Sequence, residues 1–328
     1  MQPFKMMVGD MVNEKQKGLA YSIQSFLCNA GSLVGYLFPL FFAYIGIKNV
    51  APEGVIPDSV IYSFYIGAFI LILCVIYTSL KVKEYPPEEY AEYHGIKHEE
   101  RQEKSNVFKL LAKAPKVFWT VGLVQFFCWA AFMFMWTYTN GSVALNVFDA
   151  PTVERLVNGV QRIVLDTKSN EYQDAANWVG MLFAIQAIGS VLWAIAIPQF
   201  KNRKLIYALS LILGGIGFIS VFFIHDKYLL FVSFLLIGCA WAAMLALPFT
   251  LLTNALTGGH MGTYLGLFNG TICVPQIVAA ALGGSILHIF TKTGQVSPEV
   301  NMLVIAGMLL FIGACCVSLI KEKTHDIQ

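Results

Sequence analysis

The sequence predicts an all-α, polytopic membrane helix bundle with eight transmembrane helices, and three observations carry that prediction. Hydrophobic residues make up 57% of the 328-residue chain and charged residues only 13%, with a mean hydropathy of +0.63, well above the range of water-soluble domains. Apolar stretches long enough to cross a bilayer recur along the whole chain. The basic residues, finally, fall mainly on one side of those stretches.

A helix rises ~1.5 Å per residue, so roughly 20 apolar residues cover the ~30 Å of hydrocarbon in which no backbone group can stay unpaired. Segments near 18–46, 58–80, 116–140, 177–199, 205–224, 228–253, 262–290 and 301–320 meet that requirement. The first follows a polar stretch with Asp10, Glu14, Lys15 and Lys17 and is too long for a signal-peptide core, so it is read as a retained span. Counting alternate connections, 16 of the 22 Lys and Arg residues lie on one side. The positive-inside rule makes that side cytoplasmic, with both termini there and the protein integral to the cell (inner) membrane.

Residues 81–116 are dense in charge and contain Pro86-Pro87, the composition of a solvated central linker. The linker splits the chain into residues 18–80, two helices, and residues 117–320, six helices, with a cytoplasmic tail at 321–328. Six spans make one complete bundle of the transporters built from two six-helix halves. Residues 1–17 read as the end of a truncated helix and a cytoplasmic loop, so something is expected upstream. The long loop 141–176 has some helical periodicity with mixed charge and is expected to form a short surface element.

No GxxxxGK[ST], HExxH or GxSxG pattern and no spaced Cys/His cluster occurs. The chain is therefore not read as an enzyme, and it calls for no cofactor, metal or nucleic acid. All seven cysteines fall inside the expected spans, where thiols pack as small apolar groups and no disulfide is expected.

The most specific passage is PFTLLTNALTGGHMGTYLGLFNGTICVPQ at 248–276, which joins a Pro-Phe near the end of one span to GxYxGxFNxxIxxPQ in the next. It resembles the sucrose and maltose cation symporters of the major facilitator superfamily, close to the glycoside-pentoside-hexuronide symporters. QPFKMMVGDMVNEKQKGLAYSIQSFLCNAGSLVGYLFP at 2–39 is similar to the junction of that group's fourth and fifth helices, and QFFCWAAFMFMWTYTN at 125–140 to its seventh. The resemblance covers essentially the whole chain and implies the family's fifth to twelfth helices, with a lipid bilayer, a small sugar and a coupling cation, H⁺ or Na⁺, as partners. One departure is Lys5, where the family usually carries an Arg that has a bidentate fork.

Polar side chains inside spans are costly in lipid, so they face the bundle interior as interhelical bonds or as part of a substrate path. Gln125, Trp129, Trp136 and Asn140 recur at spacings of four, seven and four and share one helical face. Aromatic rings stack on the apolar side of a pyranose and amides bond its hydroxyls, so this face suits a sugar; Trp136 equally suits the interfacial aromatic belt. Asn269 and Gln276 share a face of the seventh span and are read either as substrate contacts or as partners of backbone groups freed by Pro275, which is expected to bend the helix. Gly262, Gly266 and Gly270 repeat every four residues and are expected to admit a neighbouring helix, as are Gly31 and Gly35 beside Gln24, Cys28 and Asn29. Gln186 and Asn254 read as satisfied structure.

No Asp, Glu, Lys or Arg lies in the interior of the eight spans, and His288 falls near an outer end. Proton coupling needs a titratable group in the membrane, so the coupling residue is expected upstream. Lys5 and Asp10 are read as a cytoplasmic gate or helix-end ion pair, by the resemblance. The functional expectation is a secondary active transporter for cation-coupled uptake of a disaccharide or glucoside by alternating access. The alternative is a non-transporting membrane sensor or remnant of such a carrier. Expressed as given, the chain is expected to show no coupled transport on its own.

Overall fold

A computed structural model of the chain describes residues 7–8, 11–12, 16–47, 56, 58–83, 86, 89, 107–157, 160–255, 261–292 and 298–320. Lys5, Asp10 and most of the central linker lie outside the described residues. The ordered elements are α1 (Lys17–Tyr44), α2 (Asp58–Lys81), α3 (Val107–Ala112), α4 (Lys116–Asn146), β1 (Thr152–Val157), β2 (Val160–Leu165), α5 (Asn170–Ala196), α6 (Arg203–Phe223), α7 (Leu230–Ala255), α8 (Met261–Phe268), α9 (Gly270–Lys292) and α10 (Pro298–Val317).

Seven helices, rather than the expected eight, are long and apolar enough to cross a membrane among the described residues. The exception is α1, long enough at 28 residues but carrying Ser22, Gln24, Ser25, Asn29 and Ser32. Ser22, Ser25 and Asn29 are buried, and α1 packs on α5 and α7. The polarity that lowers its hydropathy is thus turned into protein rather than lipid. Several helices also outrun their apolar cores: α4 continues to Asn146 and α5 begins at Asn170, because helical hydrogen bonding persists past the point where the sequence turns polar.

The loop 141–176 corrects the expected helical periodicity. Between the end of α4 and the start of α5 lies an antiparallel hairpin, with Thr152 opposite Leu165 and Val157 opposite Val160. The signal was in the sequence as Val-Asn-Gly-Val at 157–160, since Asn-Gly suits the two-residue turns that match strand twist.

The six-helix part closes through glycine crossings that bring backbones together. α5 meets α7 where a Cβ on Gly189 would stand 2.6 Å from the Leu235 carbonyl oxygen, and one on Gly238 would overlap the Gln186 carbonyl oxygen. Ser190 Oγ locks the crossing by donating to the Gly238 carbonyl at 2.8 Å. α6 meets α10 in the same way, with a Cβ on Gly307 2.8 Å from the Gly215 carbonyl oxygen. α10 also packs along α4, and α9 against α4. Four of the glycines expected to mediate close approach do not: at Gly31, Gly35, Gly266 and Gly270 a Cβ would meet nothing within 4 Å, while the surroundings of Gly262 lie outside what the structure describes. Spacing shows that a small-residue stripe exists, and only packing shows whether a helix uses it.

The span expected at 262–290 is broken, and not at the proline. α8 ends at Phe268 and α9 starts at Gly270, leaving Asn269 in a turn. The Asn269 N–H bonds the Gly266 carbonyl at 3.2 Å and the Ile272 N–H bonds the Asn269 carbonyl at 3.0 Å, both three-residue closures. Gly266 and Gly270 weaken the helix there. Pro275, six residues on, sits inside α9, and it withholds the N–H that would close on Thr271, next to the break. The half-helix α8 is held separately, by the Tyr264 hydroxyl donating to the Leu110 carbonyl at 3.2 Å and by Phe118 against Tyr264 and Phe268.

At the end of α4, Asn146 Nδ2 donates to the Val221 and Ile224 carbonyls at 3.3 and 3.4 Å, taking up orphan acceptors at the end of α6. Asn146→Ala is expected to lower stability by about 1 kcal/mol, read as a lower melting temperature of the purified protein with unchanged helix content by circular dichroism.

Candidate functional site

The face of α4 that carries Gln125, Trp129 and Trp136 meets α7, and the contact begins with a proline. Pro248 sits inside α7, so the carbonyl four residues earlier, that of Met244, loses its helical N–H partner. Gln125, 1% exposed, supplies the substitute: its Nε2 donates to the Met244 carbonyl at 3.0 Å. That fixes the amide orientation and leaves Oε1, shielded from solvent, with no hydrogen-bond partner.

One turn along α4, ~6 Å further by helical rise, Trp129 is 9% exposed, and its Nε1–H is likewise shielded and without a partner. An acceptor and a donor thus stand unpaired on adjacent turns, each an expensive state in an apolar interior. Around them is a tryptophan cluster. Trp241 of α7 lies 5.7 Å from Trp129 and 5.6 Å from Trp136, ring centre to ring centre, at interplanar angles of 79° and 84°. Trp129 and Trp136 are 6.4 Å apart at 46°. Phe132, fully buried, closes the rear at 4.9 Å from Trp241, while Trp136 keeps 40% of its surface open.

Asn140 shares the face but turns to another helix: its Nδ2 donates to the Tyr172 hydroxyl of α5 at 2.8 Å, while its Oδ1 is shielded and has no partner. Asn269 and Gln276 stand on the neighbouring broken span, both partly buried. Asn269 Nδ2 reaches Cys273 Sγ, in the first turn of α9, at 3.8 Å. Thr271 of that span meets α4 beside this face, 2.9 Å from where a Cβ on Gly122 would stand. The side chain of Asn254 is outside the described residues; Gln186 is buried at 6%.

Two residues escaped the sequence reading. Trp241 lies in the apolar run GCAWAAML and has no polar neighbour at helical spacing, so only its pairing with α4 marks it. Glu299, placed by the hydropathy reading in the loop before the last span, belongs to the first turn of α10. Its Cγ lies 3.0 Å from where a Cβ on Gly141 would stand, and its Oε2 is shielded without a hydrogen-bond partner. A carboxylate there interacts favourably with the N-terminal amides of its helix.

Comparison with known proteins gives one positive finding: the family model described as the Major Facilitator Superfamily matches residues 2–154. The fold is of major facilitator type. The match runs from the first residues through α1, α2 and α4, and the helices beyond it are apolar spans of the same kind. A major facilitator match marks a transporter-type membrane protein that acts on small molecules within a lipid bilayer. No curated protein matches the chain.

Proposed function

We propose that this protein belongs to the major facilitator superfamily and is a secondary carrier, taking up a disaccharide or glucoside together with H⁺ or Na⁺ by alternating access. In this reading residues 117–320 form the complete second bundle, the termini are cytoplasmic in the inner membrane, and Lys5 with Asp10 forms a cytoplasmic gate. The observation that carries the sugar assignment is the unpaired donor and acceptor, Trp129 Nε1–H and Gln125 Oε1, set one turn apart against tryptophan faces. A hydroxyl both donates and accepts, so neighbouring hydroxyls of one sugar can satisfy both groups while its C–H face lies on an indole. Asn140, Asn269 and Gln276 are assigned to the same path as outlying polar contacts.

The test is equilibrium binding of radiolabelled maltose and sucrose to the purified protein in lipid nanodiscs. Saturable binding of at least one, displaced by unlabelled glucoside, is the expected result. A protein that binds none of a panel of disaccharides and glucosides at millimolar concentration would contradict the sugar assignment.

A further inference from the structure

We propose that Trp241 of α7 is the second wall of this site and touches the ligand, and that the site accepts an uncharged, hydroxyl-bearing ring compound while rejecting an organic cation. The inference rests on the carrier reading above and extends it from one helix to two.

A cluster of three indoles has two natural occupants. A quaternary ammonium binds such a cage through the negative faces of the rings; a sugar ring lays its C–H face on one indole and turns its hydroxyls elsewhere. The polar atoms beside the cage choose between them. A quaternary ammonium has no hydrogen to give Gln125 Oε1, and its positive charge is opposed by the positive end of the Trp129 N–H dipole. An uncharged polyol satisfies both atoms at once. The ring angles agree: Trp241 stands nearly perpendicular to Trp129 and Trp136, so its face forms the side of a slot rather than the lid of a stack.

The backbone on either side of Trp241 is held from two directions. Ala240 packs directly on Gly214 of α6, and the Ala242 carbonyl accepts from Ser25 Oγ of α1 at 3.4 Å. Trp241 itself is only partly buried. A large ring on a clamped backbone, open on one side, loses little conformational freedom when a ligand covers it.

The test measures affinity for maltose and for tetramethylammonium chloride by calorimetry and intrinsic fluorescence, using the full chain in nanodiscs. Trp241→Phe keeps an aromatic face, and Trp241→Leu keeps apolar bulk without one, so folding survives in at least one variant. The expected result is maltose affinity reduced about tenfold or more in Trp241→Leu and about threefold or less in Trp241→Phe, with no measurable tetramethylammonium binding by the unaltered protein. Maltose binding by the unaltered protein with equal affinity in both variants overturns the role of Trp241 and leaves the carrier reading standing. Tetramethylammonium binding, or no maltose binding, by the unaltered protein overturns this inference; the carrier reading falls with it only if sucrose and the rest of the glucoside panel also fail to bind.

Discussion

Gly238→Ala should destabilise the protein by about 3 kcal/mol or more, at the upper end of what overpacking costs. The added methyl would overlap the Gln186 carbonyl oxygen and stand 2.8 Å from the Ser190 backbone nitrogen. Both obstacles are backbone atoms of α5, so no rotamer change relieves the clash, and α5 and α7 must separate. Separation also lengthens the Ser190 Oγ bond to the Gly238 carbonyl, now 2.8 Å. Gly35→Ala is the control: nothing lies within 4 Å of the new methyl, and alanine is the better helix former by roughly 0.5–1 kcal/mol. Thermal unfolding in detergent should therefore show a large fall for the first variant and none for the second. Equal melting temperatures for Gly238→Ala and the unaltered protein would mean that α5 and α7 do not cross backbone to backbone.

Trp129→Ala is expected to weaken sugar binding about a hundredfold, through loss of an indole face and of a solvent-shielded, unpaired donor. Trp129→Phe separates the two contributions, since it keeps a ring and removes only the N–H; about tenfold weakening is expected. Unchanged affinity in Trp129→Phe would show that Nε1 does not bond the ligand. Gln125 needs a different reading. Gln125→Leu strands the Met244 carbonyl that Pro248 has already deprived of its helical partner. It should lower stability by about 1–3 kcal/mol as well as affinity, and the melting temperature has to be measured beside the binding constant.

Much of the candidate site was legible because helical periodicity is a local property. Gln125, Trp129, Trp136 and Asn140 fall on one side of any helix built from their segment, whatever packs against it. The partners of that side were not legible. Trp241 is over a hundred residues away in an unmarked apolar run, and Asn140 leaves the tryptophans for Tyr172 of α5. The glycine stripes show the same limit from the other side: Gly266 and Gly270 have the spacing of a helix contact and open space around them, whereas Gly189 and Gly238, on different helices, bring two backbones into direct contact. The hairpin at 152–165 is a different kind of miss. The Asn-Gly pair in its sequence is a local signal, outweighed by a weak helical period in the flanking residues.

The amino-acid sequence by itself determined that this chain is a membrane helix bundle, because crossing hydrocarbon demands long apolar stretches with internal backbone hydrogen bonds. It also determined which polar and aromatic side chains share a face of α4. Tertiary structure alone decided that this face meets α7, that Gln125 completes the backbone Pro248 leaves open, and that Trp241 stands opposite Trp129. In a bilayer every span is apolar, so hydropathy gives one helix no preference for another. Pairing is settled by where backbones can approach and by which buried donors and acceptors remain to be matched.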